Sequence, residues 1–112
     1  MGILFSATDP IGYKVFLDED HWLRHIVGGD HSIMEGNEDA VKLTIEDPDY
    51  IFRSTTGDYR DVYFRKDCGA SYSDALYTKV VTDFSCKPAE VVSAWPQDSV
   101  KGSIGVKLYE RD

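Results

Sequence analysis

Residues 50–66 read Tyr50-Ile51-Phe52-Arg53-Ser54-Thr55-Thr56-Gly57-Asp58-Tyr59-Arg60-Asp61-Val62-Tyr63-Phe64-Arg65-Lys66. Two runs rich in aromatic and β-branched residues flank Thr56-Gly57-Asp58, which has turn composition. Tyr50 to Ser54 and Tyr59 to Lys66 are therefore predicted to be the arms of a β-hairpin. Downstream the same period of two continues. Leu76 to Phe84 reads as a long β-branched strand, Glu90 to Trp95 as its partner beyond a turn at Ser85 to Ala89, and Ile104 to Tyr109 as a last edge strand. Asp67 to Asp74 is a small polar loop. Strands joined by short turns pair antiparallel.

Upstream the period changes. Tyr13 to Leu17 alternates enough for a short strand after the Pro10-Ile11-Gly12 turn. Asp18 then suits an N-cap, with Glu19 and Asp20 where a helix dipole favours acids. This helix is predicted to run to about Val27 and stop at Gly28-Gly29, with Trp22, Leu23, Ile26 and Val27 as its buried stripe. His21 and His25, four apart, stack on the other side, His25 at a cleft rim or in water. A second helix opens at Gly36 or Asn37, turns Ala40, Val41, Thr44 and Ile45 inward, and ends before Pro48. The expected fold is α+β: two N-terminal helices packed on one face of a mainly antiparallel sheet of four to five strands, one domain over residues 1–112.

Composition agrees with a single core. The chain has 112 residues, 42% hydrophobic and 12% aromatic, enough to fold without disulfides. Its apolar runs are too short to span a membrane, and Met1 to Thr8 lacks a basic region, so no secretory leader is expected there. Cys68 and Cys86 match no zinc spacing and fit reduced thiols in the cytoplasm. Twenty acidic residues against twelve basic ones leave a net charge of −8, the wrong sign for a nucleic-acid binder acting through its whole surface. The cations concentrate at Arg53, Arg60, Arg65, Lys66 and Lys79, so a basic strip within an acidic body is compatible with the sequence, as is an acidic body meeting a basic partner.

The three histidines, His21, His25 and His31, fall close together. They can be plain polar-face and loop residues; His21 and His25 at i, i+4 can share a metal ion, although the HExxH glutamate and any downstream cysteine ligand are missing. They can also move protons near neutral pH. RNA is cut without a metal or cofactor when a base takes the 2′-hydroxyl proton, an acid protonates the leaving 5′-oxygen and a cation holds the phosphate. His25 and His31 supply candidates for proton transfer. Arg65 beside Tyr63 is a candidate for the phosphate, with Arg53 or Lys79 as substitutes; Ser93 and Trp95 could bind phosphate and stack a base. Each of these strand residues also has an ordinary reading as surface or packing.

The run Trp22-x-x-His25-Ile26-x-x-x-x-His31-x-x-Met34, then Val41-x-x-Thr44-Ile45-x-x-Pro48-x-x-Ile51, Val62-Tyr63-Phe64-Arg65, Lys79-Val80-Val81 and Val92-Ser93-Ala94-Trp95, resembles the small phage- and mobile-element-borne nuclease domains of the barnase–EndoU–colicin–RelE superfamily. The resemblance spans about residues 13 to 109. It implies helices packed on a four-stranded antiparallel sheet and a metal-independent ribonuclease, often a toxin or effector. His25 would be its helix histidine, His31 the second histidine, Tyr63 and Arg65 the strand pair, and Ser93 the hydroxyl residue. Relatives often carry threonine-alanine-tyrosine where this chain has Ser93-Ala94-Trp95. The expected partners are RNA, tRNA among the candidates, and a cognate inhibitor. The rival expectation is a non-catalytic acidic module that binds and inhibits a basic host protein; a tRNA- or nucleotide-modifying transferase on the same fold is a third.

Overall fold

The stretch from Tyr50 folds as its alternation predicts. β3 (Tyr50–Ser54) pairs antiparallel with β4 (Arg60–Lys66), placing Ile51 opposite Tyr63 and Arg53 opposite Asp61. The computed structural model describes residues 2–112. β5 (Tyr77–Asp83) and β6 (Ala89–Gln97) continue the antiparallel ladder, and β7 (Ile104–Glu110) pairs with the outer side of β3 as an edge strand.

The predicted fold class needs correction. Two strands open the described chain, β1 (Ile3–Thr8) and β2 (Lys14–Asp18), and the helices lie after them and before β3. All seven strands form one mixed sheet in the order β1-β2-β6-β5-β4-β3-β7, in which only β2 and β6 run parallel. The expectation of N-terminal helices on a four- to five-stranded sheet fails for two physical reasons. β1 buries only Phe5 and Ala7 on its inner side, so its hydrophobic alternation is faint. The β2–β6 pairing joins Val15 to Ala89 and Phe16 to Glu90, contacts between segments so far apart that no local pattern encodes them.

Helical structure between β2 and β3 begins with α1 (Glu19–His21), capped as expected by Asp18, whose Oδ2 accepts from the His21 amide at 2.9 Å. The chain then widens into a π-helical segment, Trp22–Asp30, that kinks at Gly29. His31 N–H donates to the Ile26 carbonyl five residues back, a wider closure than the ordinary helix expected over this stretch. Of its predicted stripe Trp22 and Ile26 are buried, whereas Leu23 is exposed. A short 3₁₀ turn (Ser32–Met34) leads to α2 (Glu38–Glu46), which buries Ala40, Val41, Thr44 and Ile45 as its period predicts.

α2 packs over β1, β4 and β5, while the π-helical segment and the 3₁₀ turn lie against β6. Together they cover one face of the sheet, where Ile51, Tyr63, Val80 and Ala94 stand in register and meet Trp22, Ile26, Met34, Val41 and Ile45. Each large apolar side chain fully buried there stabilises the fold by about 1.5–3 kcal/mol. Because strand side chains alternate, the next row, Tyr50, Phe64, Lys79 and Trp95, stands on the opposite face. Among the described residues no helix is long and apolar enough to cross a membrane.

Candidate functional site

On that opposite face a cleft of about 700 Å³ crosses β4, β5 and β6. Arg60, Lys79, Ser93, Trp95 and Gln97 line it, and His21 reaches it from the end of α1. The topology explains how a helical residue arrives there. β2 pairs with β6 only as far as Glu90, so the remainder of β6 has an unpaired edge, and the pairing with β5 is irregular between Val81 and Thr82. The π-helical segment lies along that edge, and His21 Nε2 meets the Val92 carbonyl at 2.9 Å. A carbonyl can only accept, so Nε2 carries the proton of this hydrogen bond.

Lys79 is the central cation. Only 4% of the residue is exposed. Its Nζ donates to the carbonyls of Lys101 and Gly102, both at 3.0 Å, and sits 4.8 Å from the centre of the Trp95 ring and 5.6 Å from that of Phe64. Burial pushes its pKa down. Gly102 takes φ +93°, a conformation that favours glycine, and a Cβ there would lie 2.6 Å from Lys79 Nζ, so any side chain at this position would displace the ammonium. Gln97 braces the same loop, donating from Nε2 to the Ser99 and Lys101 carbonyls and accepting from the Trp95 indole N–H.

The histidines gather along the β6 side. His31 stacks on Trp95, ring centres 5.0 Å apart and planes within 17°, and His25 lies against His21 at 5.0 Å. Lys79 and His31 thus both hold the Trp95 ring, one from β5 and one from the helical side. Arg60 is paired with Asp83 at 3.3 Å at the cleft's far end. Among the described residues no aspartate or glutamate lines this cleft, in a chain with twenty acidic residues.

The remaining predicted site residues stand on the helix-covered face. Tyr63 is fully buried and its hydroxyl donates to Asp9 Oδ2 at 2.6 Å. Burial, then this hydrogen bond and the neighbouring carboxylates, raise its pKa far above the usual tyrosine range. Arg53 pairs with Asp61 through Nε at 2.9 Å. Arg65 donates from Nη1 to the backbone carbonyl and the carboxylate of Asp47, the residue that closes α2. The structure therefore brings Lys79, Ser93 and Trp95 together with His31 and sets exposed His25 against His21, and it separates Arg53, Tyr63 and Arg65 from that group by the thickness of the sheet. His21, Arg60, Gln97 and Gly102 are the additional cleft residues. Arg60 was traceable in sequence, since it shares parity along β4 with Phe64 and opposes that of Arg65.

Among the described residues no three histidine, cysteine, aspartate or glutamate side chains converge as a metal-ligand set. Both cysteines are free thiols. Comparison with known protein families, with curated proteins and with solved structures finds no match to this chain.

Proposed function

We propose that this protein is a metal-independent endoribonuclease, toxin- or effector-like and acting in the cytoplasm, that cleaves RNA by general acid–base catalysis in the carboxylate-free cleft. The observation that carries the reading is the lining itself: His21, Arg60, Lys79, Ser93 and Trp95 line one cleft in which no described lining residue is a carboxylate, in a protein of net charge −8. A phosphodiester entering here meets Lys79 and Arg60 and no carboxylate of the lining, so the local field favours it despite the acidic body. Lys79 and Arg60 hold the phosphate as its charge develops, with the Ser93 hydroxyl donating to a non-bridging oxygen. Trp95, held between His31 and Lys79, forms an aromatic wall against which the ribose and base edge can pack. An imidazole that reaches the cleft from the β6 side takes the 2′-hydroxyl proton. Of the residues to which the superfamily resemblance gives roles, Ser93 lines this cleft and His31 stands beside it, whereas Tyr63 and Arg65 do not, so the phosphate role passes to Lys79.

The test is incubation of the pure protein with total RNA and a tRNA pool in EDTA, beside Lys79→Ala and Arg65→Ala variants. The expected outcome is cleavage leaving cyclic phosphate ends, lost in Lys79→Ala and kept in Arg65→Ala. RNA left intact at high protein concentration would instead favour an acidic module that binds a basic protein, a reading supported by the net charge, and a pull-down against basic host proteins would follow.

A further inference from the structure

We propose that His21, through Nδ1, is the general base of this cleft. The inference rests on the ribonuclease reading and names the group that takes the proton.

Of the three histidines only His21 lines the cleft. Its ring is held at both ends of its reach. Nε2 is committed as donor to the Val92 carbonyl at 2.9 Å, and His25 packs against the ring at 5.0 Å. Its backbone amide is tied to the Asp18 carboxylate, which anchors the residue at the start of the helix. Fixing Nε2 as the protonated nitrogen selects one neutral tautomer, in which Nδ1 carries the lone pair. No group among the described residues hydrogen-bonds Nδ1. The outcome is an oriented imidazole with one nitrogen reserved for structure and the other open, the arrangement a general base needs.

The other two are less suited. His25 is exposed and stands behind His21. His31 lies flat on Trp95 at 17°, its ring face used to brace the indole. The carbonyl that orients His21 is available because β2 leaves β6 after Glu90. A continued ladder would have covered the Val92 edge, so the partial parallel pairing and the histidine orientation are one feature.

In the step assigned, Nδ1 accepts the proton of the RNA 2′-hydroxyl as the 2′-oxygen forms its bond to phosphorus. The P–O5′ bond breaks, its electron pair going to the 5′-oxygen, which takes a proton from water. The resulting hydroxide is neutralised when the imidazolium returns its proton to solvent. The products are a 2′,3′-cyclic phosphate and a 5′-hydroxyl, with no net uptake of water or protons.

The experiment compares RNA cleavage in EDTA by wild-type protein, His21→Gln and His21→Ala, each checked for a wild-type melting curve. Glutamine keeps an N–H for the Val92 carbonyl and cannot act as the base. Expected are a loss of about 100-fold or more in His21→Gln and partial recovery of His21→Ala by added imidazole. A His21→Gln variant within tenfold of wild type, or a His21→Ala variant that imidazole does not rescue, overturns the assignment and leaves the ribonuclease reading standing. Absence of cleavage by the wild-type protein overturns that reading and the assignment with it.

Discussion

The Tyr63 hydroxyl donates to Asp9 Oδ2 at 2.6 Å, joining the middle of β4 to the turn between β1 and β2. Asp9 is itself buried, and its Oδ1 accepts the backbone amides of Ile11, Gly12 and Tyr13, so one carboxylate both builds the β1–β2 turn and anchors it to the sheet. Tyr63 thus has a structural task that accounts for its hydroxyl. Tyr63→Phe should destabilise the fold by about 1–3 kcal/mol, because Asp9 is left with an unsatisfied buried oxygen. Urea denaturation measures this, and cleavage by the folded variant should stay within a few-fold of wild type.

Asp61 provides a pH test of the same cluster. Burial raises its pKa, outweighing the Arg53 hydrogen bond and charge, and the Asp9 carboxylate adds to the rise. The folded protein therefore holds the Asp61 proton at pH values where the unfolded chain has released it. Between the ordinary carboxylate value of 3.8 and the raised folded value, folding takes up protons, so this group's contribution to stability falls as pH rises. Wild-type protein should gain stability relative to Asp61→Asn as the pH is lowered from about 7 to about 4.5. Paired urea midpoints at the two pH values give the answer; a difference that does not change with pH would contradict it.

Arg65 closes α2. It donates to the Asp47 carbonyl at 2.6 Å and to its carboxylate at 3.1 Å, and Arg111 approaches the same carboxylate from the C-terminal end at 3.3 Å. Asp47 is half exposed, so solvent weakens the ionic part. Arg65→Ala should therefore cost about 1.5 kcal/mol in a thermal or urea melt and leave cleavage intact. Loss of cleavage at full stability would return Arg65 to the site.

Gly102 ties the cleft wall to Lys79. Gly102→Ala forces a side chain into a positive-φ position at about 1–2 kcal/mol and drives a methyl toward the ammonium. The expected result is a weakened fold together with reduced RNA affinity, measured by binding of a labelled oligonucleotide. Gly69→Ala, also at positive φ but with open space around its Cβ, is the control that should lose stability alone.

Much of this was legible in the sequence. The strands from Tyr50 onward, the N-cap at Asp18 and the inward face of α2 are local matters of period and capping, and short-range chemistry decides them. So is the clustering of the histidines near one helix end. What local pattern could not decide was which strand residues share a face. Along β4 the choice between Arg60 and Arg65 depends on parity, but whether Lys79 sides with one or the other depends on the β4–β5 register, in which Phe64 meets Lys79 and Arg65 meets Thr78. A slip of one residue would have reversed the assignment. The insertion of β2 beside β6, which exposes the Val92 carbonyl to His21, is a pairing between remote segments whose free energy comes from the assembled core and not from either strand. Sequence by itself determined the strands from Tyr50 onward, the cap at Asp18, α2 and the residues available for chemistry; tertiary structure alone decided the place of β1 and β2 in the sheet, the face on which each cation stands and the histidine that enters the cleft, because register and parallel pairing are set by long-range packing.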